Sequence, residues 1–386
     1  MKRIVTWGLA SVFALAVSFG AFAANEALVV QLGSSNYGDV TQDGIDNAAL
    51  SLQLGLANGA STVQSGEVNA SIVSQRGAGN ESSVVQDGFA NDSLVLQRGL
   101  ANLAAVTQLN VENSALVAQI GLQNDGVVYQ DSELSGGVAT LFQLGTANEG
   151  TIYQARRGLA LPGFDSYAFT AQIGNANFAL QVQAALEGVW HQTADIIQYG
   201  DRNEARQLQL NVGDIGGNHL DALQVGEDNY SQQVQSGTRG GRIGVVVQDG
   251  SSNSAVQTQL AVGPNTNNPV AVAIIAQVGE ANEAEQYQEG SADMLALAIQ
   301  WGTDNFAQYS QVASGNVLAA SLQLGEANEA YIAQYDAGYH TALSLQVGTA
   351  NLVAIQQSGD GDNFALAVQL GTNNTAVVTQ QAGTTI

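Results

Sequence analysis

The chain has 386 residues, with only 10 Lys+Arg against 34 Asp+Glu, and it contains 44 Gly, 3 Pro and no Cys. Charged residues are only 11% of the chain, and its 41 Gln and 30 Asn make the polar part largely uncharged amide. Glycine lacks the three-residue period of collagen, and 45% hydrophobic content is too high for a typical disordered chain. The missing Cys excludes disulfides, Cys-ligated metals and thiol catalysis, and the net charge of −24 argues against a nucleic-acid binder.

Residues 1–23 have the pattern of a secretory signal peptide. Lys2 and Arg3 form a basic start, an apolar run follows, and Ala21–Ala23 offers a cleavage site of small residues. A membrane anchor is the alternative, but the apolar run is short for a spanning helix and ends in small residues. We therefore expect residues 24–386 to be secreted without an integral membrane segment, carrying 8 Arg, no Lys and 34 acids (8 − 34 = −26).

The rest of the chain repeats one unit. From Gln31 to Gln130, Gln recurs every eleven residues, with Gly usually two residues later and Asn five residues later, so the unit reads Q-x-G-x-x-N-x5-Q. There are fifteen full units, and all fifteen keep Gly at +2, Asn at +5 and a second Gln at +11. Regular 11-residue half-repeats occupy 31–130, and repeats with longer side loops occupy 131–386. This periodicity predicts one repeat domain over 24–386.

Four sets of residues define the repeat. The first Gln of each unit is Gln31, Gln53, Gln75, Gln97, Gln119, Gln143, Gln172, Gln198, Gln224, Gln248, Gln277, Gln300, Gln323, Gln346 or Gln369. The second Gln is Gln42, Gln64, Gln86, Gln108, Gln130, Gln154, Gln183, Gln209, Gln235, Gln259, Gln288, Gln311, Gln334, Gln357 or Gln380. The Asn is Asn36, Asn58, Asn80, Asn102, Asn124, Asn148, Asn177, Asn203, Asn229, Asn253, Asn282, Asn305, Asn328, Asn351 or Asn374. The Gly, interpreted as a turn residue, is Gly33, Gly55, Gly77, Gly99, Gly121, Gly145, Gly174, Gly200, Gly226, Gly250, Gly279, Gly302, Gly325, Gly348 or Gly371.

The residues between these fixed points alternate as strands do. Two residues after the Asn stands a small residue, such as Ala104, and four residues after it a β-branched one, such as Val106. These positions share one parity with the Asn and the second Gln, so in a strand they face the same side, which we assign to the interior. Small or apolar residues precede each first Gln with the same alternation. Each unit is therefore predicted to be strand, turn, strand.

Stacked units would place identical amides above one another. A buried amide is costly unless it is paired, and an in-register column pairs each Gln or Asn with its neighbours above and below. In five units the residue two positions before the second Gln is also Gln. This predicts a central amide column of Gln181, Gln207, Gln233, Gln257 and Gln286. The predicted fold is all-β: a two-sided parallel β-solenoid of about fifteen cross-β-like rungs, roughly 70 Å long at ~4.8 Å per rung.

The repeat resembles that of curlin-repeat proteins, the family of bacterial curli amyloid fibre subunits. The family pattern, Ser-x5-Gln-x-Gly-x-x-Asn-x-Ala-x3-Gln, is met nearly in full by "SLVLQRGLANLAAVTQ", residues 93–108, and the resemblance covers about Val29 to Gln380. It implies a secreted subunit that polymerises into extracellular fibres at the cell surface, used in biofilm matrix, adhesion and surface colonisation. It also implies a nucleator subunit, periplasmic chaperones and an outer-membrane secretion pore as partners.

Few residues in the sequence suggest a metal, cofactor or catalytic site. His191, His219 and His340 lie far apart, in or beside the variable connections, and are predicted to be surface residues rather than a metal site. The stretch "GDGDN", Gly359–Asn363, is similar to a calcium loop but lacks the downstream bidentate Glu of an EF-hand, which favours a simple turn. No Ser/His/Asp or paired-carboxylate arrangement singles out a catalytic site. We expect no enzyme activity, cofactor or metal.

The longer connections and the few cations are assigned to the surface. Ala155–Ala171 and Leu260–Ala276 contain all three prolines and are interpreted as loops protruding from one edge, either adhesive or lateral-contact elements or tolerated insertions. The cationic clusters are predicted to be solvated loop charges rather than anion sites: Arg156 with Arg157, and Arg239 with Arg242.

Three functions are compatible with a secreted solenoid. A self-assembling fibre subunit would join head to tail, because both terminal rungs should expose open amide columns and unpaired backbone groups. A non-polymerising solenoid that binds a surface or ligand through its outer face, of adhesin or ice-binding type, needs flat outward arrays, whereas outward residues such as Asp39, Ser61 and Val127 are mixed. A solenoid enzyme resembling polysaccharide lyases needs acids and bases clustered in a groove, which 8 Arg and no Lys disfavour. The sequence favours the fibre subunit.

Overall fold

The computed structural model describes residues 25–133, 136–156, 166–185, 192–211, 217–237, 241–261, 270–291, 293–313 and 315–382. Within these ranges the regular structure is all β-strand, as the alternating repeat predicts. No helix in the described part of the chain is long and apolar enough to cross a membrane. Several predicted features lie outside the described residues: the signal peptide at 1–23, Pro162, Pro264, Pro269, His191, Arg157 and Arg239.

Thirty strands alternate along the chain between two sheets of fifteen strands each. The first sheet holds β1 (Glu26–Ser34), β3 (Ala48–Leu56), β5 (Ala70–Ala78), β7 (Asp92–Leu100), β9 (Ser114–Leu122), β11 (Gly137–Thr146), β13 (Ser166–Asn175), β15 (Gln192–Asp201), β17 (Asn218–Glu227), β19 (Arg242–Ser251), β21 (Ala271–Glu280), β23 (Met294–Thr303), β25 (Val317–Glu326), β27 (His340–Thr349) and β29 (Asn363–Thr372). The second sheet holds β2 (Tyr37–Ile45), β4 (Gly59–Glu67), β6 (Glu81–Phe89), β8 (Leu103–Val111), β10 (Asp125–Ser132), β12 (Glu149–Arg156), β14 (Phe178–Ala185), β16 (Glu204–Asn211), β18 (Tyr230–Gly237), β20 (Ser254–Ala261), β22 (Glu283–Gly290), β24 (Phe306–Ala313), β26 (Glu329–Asp336), β28 (Leu352–Gly359) and β30 (Thr375–Ala382).

Every strand pairs in parallel with the strand two places along the chain, in register with the repeat. Gln31 lies opposite Gln53, which lies opposite Gln75, and the turn glycines match in the same way. Since consecutive strands belong to opposite sheets, one strand from each sheet forms a rung. The predicted two-sided parallel β-solenoid is confirmed.

The interior between the sheets is thin and built from small side chains. In the rung of β7 and β8, Val95, Ala104, Val106 and Gln108 are all at most 1% exposed. The sheets approach so closely at Gly126 that an added Cβ would lie 2.8 Å from Cδ2 of Leu141. Small residues at these positions therefore let the two strand layers approach closely, as in cross-β interfaces.

The two edges of the rod differ. At the short-turn edge, where each odd strand passes to the next even strand, every repeat Gly is the next-to-last residue of its odd strand and every repeat Asn lies in the two-residue turn that follows. At the other edge the connections lengthen after residue 131, so we call it the long-connection edge. The chain thus keeps one edge uniform over all fifteen rungs and varies the other.

Candidate functional site: amide columns and open ends

The two Gln columns run the length of the rod, one on the inner face of each sheet. In both columns Nε2 of each Gln donates to Oε1 of the Gln in the next rung toward the C-terminus, at 2.6–3.2 Å. Away from the ends these side chains are almost completely buried. All thirty repeat Gln residues therefore lie in two continuous hydrogen-bonded ladders.

The Gln amides also join the two sheets, which the repeat pattern did not indicate. Nε2 of Gln97, in the first sheet, donates to the carbonyl oxygen of Glu81 in the second sheet at 2.8 Å, and to that of Asn102 at 3.0 Å. Apart from Gln31 in the first rung, every ladder Gln thus gives a backbone carbonyl at a strand end an additional donor, as Gln97 does for Asn102, which also accepts from the N–H of Glu81.

The Asn column at the short-turn edge runs in the opposite direction. Nδ2 of each Asn donates to Oδ1 of the Asn in the preceding rung at 2.8–3.2 Å. Nδ2 of Asn102 also donates to the carbonyl oxygen of Gly121, in the rung above, at 3.2 Å. The Gln and Asn columns therefore have opposite donor-to-acceptor polarity along the rod.

The central amide column lies where the sequence places it. Four successive bonds of 2.9–3.2 Å join Gln181, Gln207, Gln233, Gln257 and Gln286. In the next rung Tyr309 takes this position, with its hydroxyl 3.1 Å from the carbonyl oxygen of Leu297 and in contact with Ser321. Burial raises the pKa of the Tyr309 hydroxyl, which therefore stays a neutral donor.

A second Asn column lies at the long-connection edge of the first five rungs. Asn25, Asn47, Asn69, Asn91 and Asn113 each stand six residues before a first Gln, and their Nδ2 to Oδ1 bonds measure 3.0–3.1 Å. The eleven-residue recurrence of Asn was the signal for it. From the sixth rung on, the same position holds Gly137, Ser166, Gln192, Asn218, Arg242, Ala271, Met294, Val317, His340 and, in the last rung, Asn363.

Inward positions at the long-connection edge correct three predictions. Arg242 is 2% exposed and His340 is 1% exposed, so neither is the surface residue that the sequence suggested, and Arg156 at the end of β12 is buried as well. The reason is strand parity, since residues six positions before a first Gln, or two positions after a second Gln, lie on the same inward face as that Gln. Desolvation lowers the pKa of Arg242 to about 10, and His340 Nε2 lies 2.9 Å from the carbonyl oxygen of Tyr335.

His219 instead faces outward, on the outer face of the first sheet. Its Nδ1 lies 2.6 Å from Oγ1 of Thr193, and its Nε2 lies 2.8 Å from Oδ2 of Asp221. The hydrogen bond to Asp221 raises the pKa of His219, and burial together with Asp221 raises the pKa of Asp195. In the described ranges no group of three or more His, Cys, Asp or Glu could hold a metal ion. The cluster is a half-exposed His219–Asp221 charge pair within β17, with Thr193 of the neighbouring β15 in contact with the imidazole.

Within residues 25–382, as far as the structure describes them, both ends of the rod leave the columns open. β1 and β2 form one end of the two sheets, and β29 and β30 form the other. Inward residues lose their burial there: Val29 is 40% exposed, although the same position in the third and fourth odd strands is fully buried. Among the described residues, Oε1 of Gln31 receives no Gln amide, and Nε2 of Gln369 meets no Gln oxygen.

Comparisons with known proteins return no relative: no family model matches the chain, and no curated protein matches it.

Proposed function

We propose that the protein is a secreted structural subunit that assembles head to tail into extracellular, curli-like functional amyloid fibres for biofilm matrix, adhesion and surface colonisation. The observation that carries this proposal is the complementarity of the two open ends. Export through an outer-membrane pore, with chaperones and a nucleator subunit, belongs to the same proposal by resemblance to curlin-repeat proteins.

The polarity of the columns favours one mode of joining. The C-terminal end presents Gln donors (Gln369, Gln380) and an Asn acceptor (Oδ1 of Asn374), because Gln donates toward the C-terminus and Asn toward the N-terminus. The N-terminal end presents the reverse, with Gln31 and Gln42 as acceptors. Two like ends would oppose donors to donors and acceptors to acceptors, so only head-to-tail contact continues every column.

The side chains of the two end rungs also match. With Gln369 stacked on Gln31 of the next molecule, small or β-branched inward residues would meet throughout: Ala365 on Ala27, Ala367 on Val29, Ala376 on Gly38, and Val378 on Val40. Asn363 would meet Asn25. The last rung thus has Asn363 at the position that His340 occupies in the rung before it. Nδ2 of Asn25 would then donate to Oδ1 of Asn363, as Nδ2 of Asn47 donates to Oδ1 of Asn25.

Capping both ends tests the proposal. Fusing a folded, highly charged domain to each terminus should leave the rod folded but stop elongation from seeds, because neither end rung could then accept another molecule. A fusion at one terminus should still add to the opposite end of wild-type seeds. Seeded growth followed by light scattering and electron microscopy is the measurement. Normal growth of the doubly capped protein would place the joint elsewhere and refute head-to-tail assembly.

Assembly should also depend on pH and salt. With a net charge of −26 on residues 24–386, subunits repel at neutral pH, so we expect elongation to quicken toward the pI of about 4.1 or when salt screens the charges. Burial raises the pKa of Asp92, Asp125 and Asp195 in the folded rod. A raised folded pKa stabilises the folded state as pH falls, so the protonation of these three acids does not oppose growth in acid. Elongation rates measured from pH 4 to 8 that stay constant would contradict this.

A further inference from the structure

The outer face of the first sheet is apolar over the last five rungs. Strands β21, β23, β25, β27 and β29 each direct four side chains outward, and one of the twenty, Thr341, is polar. The others are Val272, Ile274, Ala276, Val278, Leu295, Leu297, Ile299, Trp301, Leu318, Ala320, Leu322, Leu324, Leu343, Leu345, Val347, Phe364, Leu366, Val368 and Leu370. Trp301 is 64% exposed and Leu370 is 68% exposed. We call these twenty positions the apolar face.

The opposite side of the same rungs is more polar and carries charge, although apolar residues such as Phe306 and Val377 also face outward there. Outward residues of β22 include Glu283, Glu285 and Glu289, and those of β28 include Gln356 and Ser358. The rod is therefore amphipathic across its thickness in this region. Stacking does not require this difference, because outward side chains on both sheets are placed in the same way relative to the rungs above and below. A contiguous uncovered apolar surface on a secreted, strongly acidic protein indicates a contact surface.

We infer that the apolar face pairs with the same face of a second fibre, so that fibres associate side by side in pairs or bundles. This inference rests on the proposed head-to-tail assembly. Two sheets pack face to face at about 10 Å when their side chains interdigitate. A second copy of this rod has rows of apolar side chains at the same spacing of ~4.8 Å, so its ridges fit between those of the first along the whole contact.

The size of the apolar face favours contact between fibres, which present it many times, over contact between single rods. Five strands at ~4.8 Å and six residues at ~3.3 Å cover about 24 by 20 Å, or roughly 500 Å². This footprint is small beside a rod roughly 70 Å long, so one copy of the face gives a single short contact. A fibre repeats the face at intervals of roughly 70 Å and extends it across each joint with Leu28, Val30 and Leu32 of β1. Repeated weak contacts then bind fibres together.

Charges border the apolar face, and others lie farther along the outer face of the same sheet. Glu280, Asp304 and Glu326 lie at the short-turn edge beside it, and on the same sheet Asp195 and Asp221 face outward from β15 and β17. Facing copies bring these acids toward one another, so pairing of the fibres should strengthen as salt rises.

A charge placed in the apolar face tests the inference. The variant L322E/L345E puts two carboxylates on neighbouring strands, immediately before ladder Gln residues. The control A333E/Q356E places the same charges in the same two rungs, at the same offset, on the second sheet. Wild-type fibres at physiological salt are expected to be paired or bundled, and L322E/L345E should reduce the paired fraction roughly tenfold or more, because each carboxylate would be buried without a partner. The control should bundle as the wild type does, and all three should elongate alike.

Electron microscopy of fibre width and low-speed sedimentation measure the paired fraction. Wild-type fibres that stay single, or equal bundling of the two variants, would overturn the inference while leaving head-to-tail assembly intact. Single fibres that adhere to polystyrene through this face would overturn it in favour of a foreign apolar surface. If no fibres form at all, head-to-tail assembly fails and the lateral contact fails with it.

Discussion

Gln198→Leu, in the middle of the first Gln column, is expected to destabilise the rod by about 2–6 kcal/mol. Each of the two neighbouring amide groups left without its partner costs roughly 1–3 kcal/mol. Gln172 Nε2 donates to Gln198 at 3.0 Å, and Gln198 Nε2 donates to Gln224 at 2.8 Å. Leucine fills the volume but pairs with neither neighbour, both of which stay buried. Denaturant unfolding of unassembled protein at neutral pH and low salt measures the effect. Asn203→Leu should act in the same way, since Asn203 accepts from Asn229 and donates to Asn177.

A pair of adjacent glutamines provides the matched control. Gln357 is fully buried, accepts from Gln334 at 2.9 Å and donates to Gln380 at 2.8 Å, whereas its neighbour Gln356 is exposed on the outer face. Gln357→Leu should therefore destabilise the rod, while Gln356→Leu, with the same change in composition one residue away, should alter stability by less than about 0.5 kcal/mol. Equal effects would contradict the assignment of inward and outward faces.

The second large effect concerns the repeat glycines. Substituting two glycines at the same short turn, Gly77 and Gly79, should change stability by very different amounts. Gly77 has φ of +132°, and a Cβ there would lie 1.8 Å from the carbonyl oxygen of Gly99 in the next rung. Gly77→Ala is expected to cost at least about 3 kcal/mol, because the backbone conformation is strained for alanine and the rungs must separate locally. Both neighbouring rungs would lose hydrogen bonds as they move.

Gly79, two residues later, serves as the control. It has φ of +62° and open space where a Cβ would be, and the corresponding residues of neighbouring units, Ala57 and Ala101, already adopt this left-handed conformation. Gly79→Ala should change the free energy of unfolding by no more than about 1 kcal/mol. Thermal and denaturant unfolding of both variants gives the comparison, and similar losses at the two positions would refute the close approach of successive turns at Gly77.

The amino-acid sequence alone determined the all-β architecture, the number of rungs and the inward face of each strand. The constant Q-x-G-x-x-N-x5-Q spacing sets the length of each strand and turn, and the period of two along a strand then assigns every residue to a side. The predicted central column from Gln181 to Gln286 follows from the same local parity, as its bonds in the structure illustrate.

Other features depended on which backbone groups come together across rungs, and only the tertiary structure decided them. The opposite polarity of the Gln and Asn columns arises because Gln lies within a strand whereas Asn follows a left-handed turn residue, such as Ala101, so the two amides meet different carbonyls. Arg242 and His340 were predicted at the surface because their segments look like loops, but stacking at the long-connection edge turns both inward. The apolar face is likewise spread over five separate segments, and it becomes one surface only because parallel stacking brings their outward residues side by side.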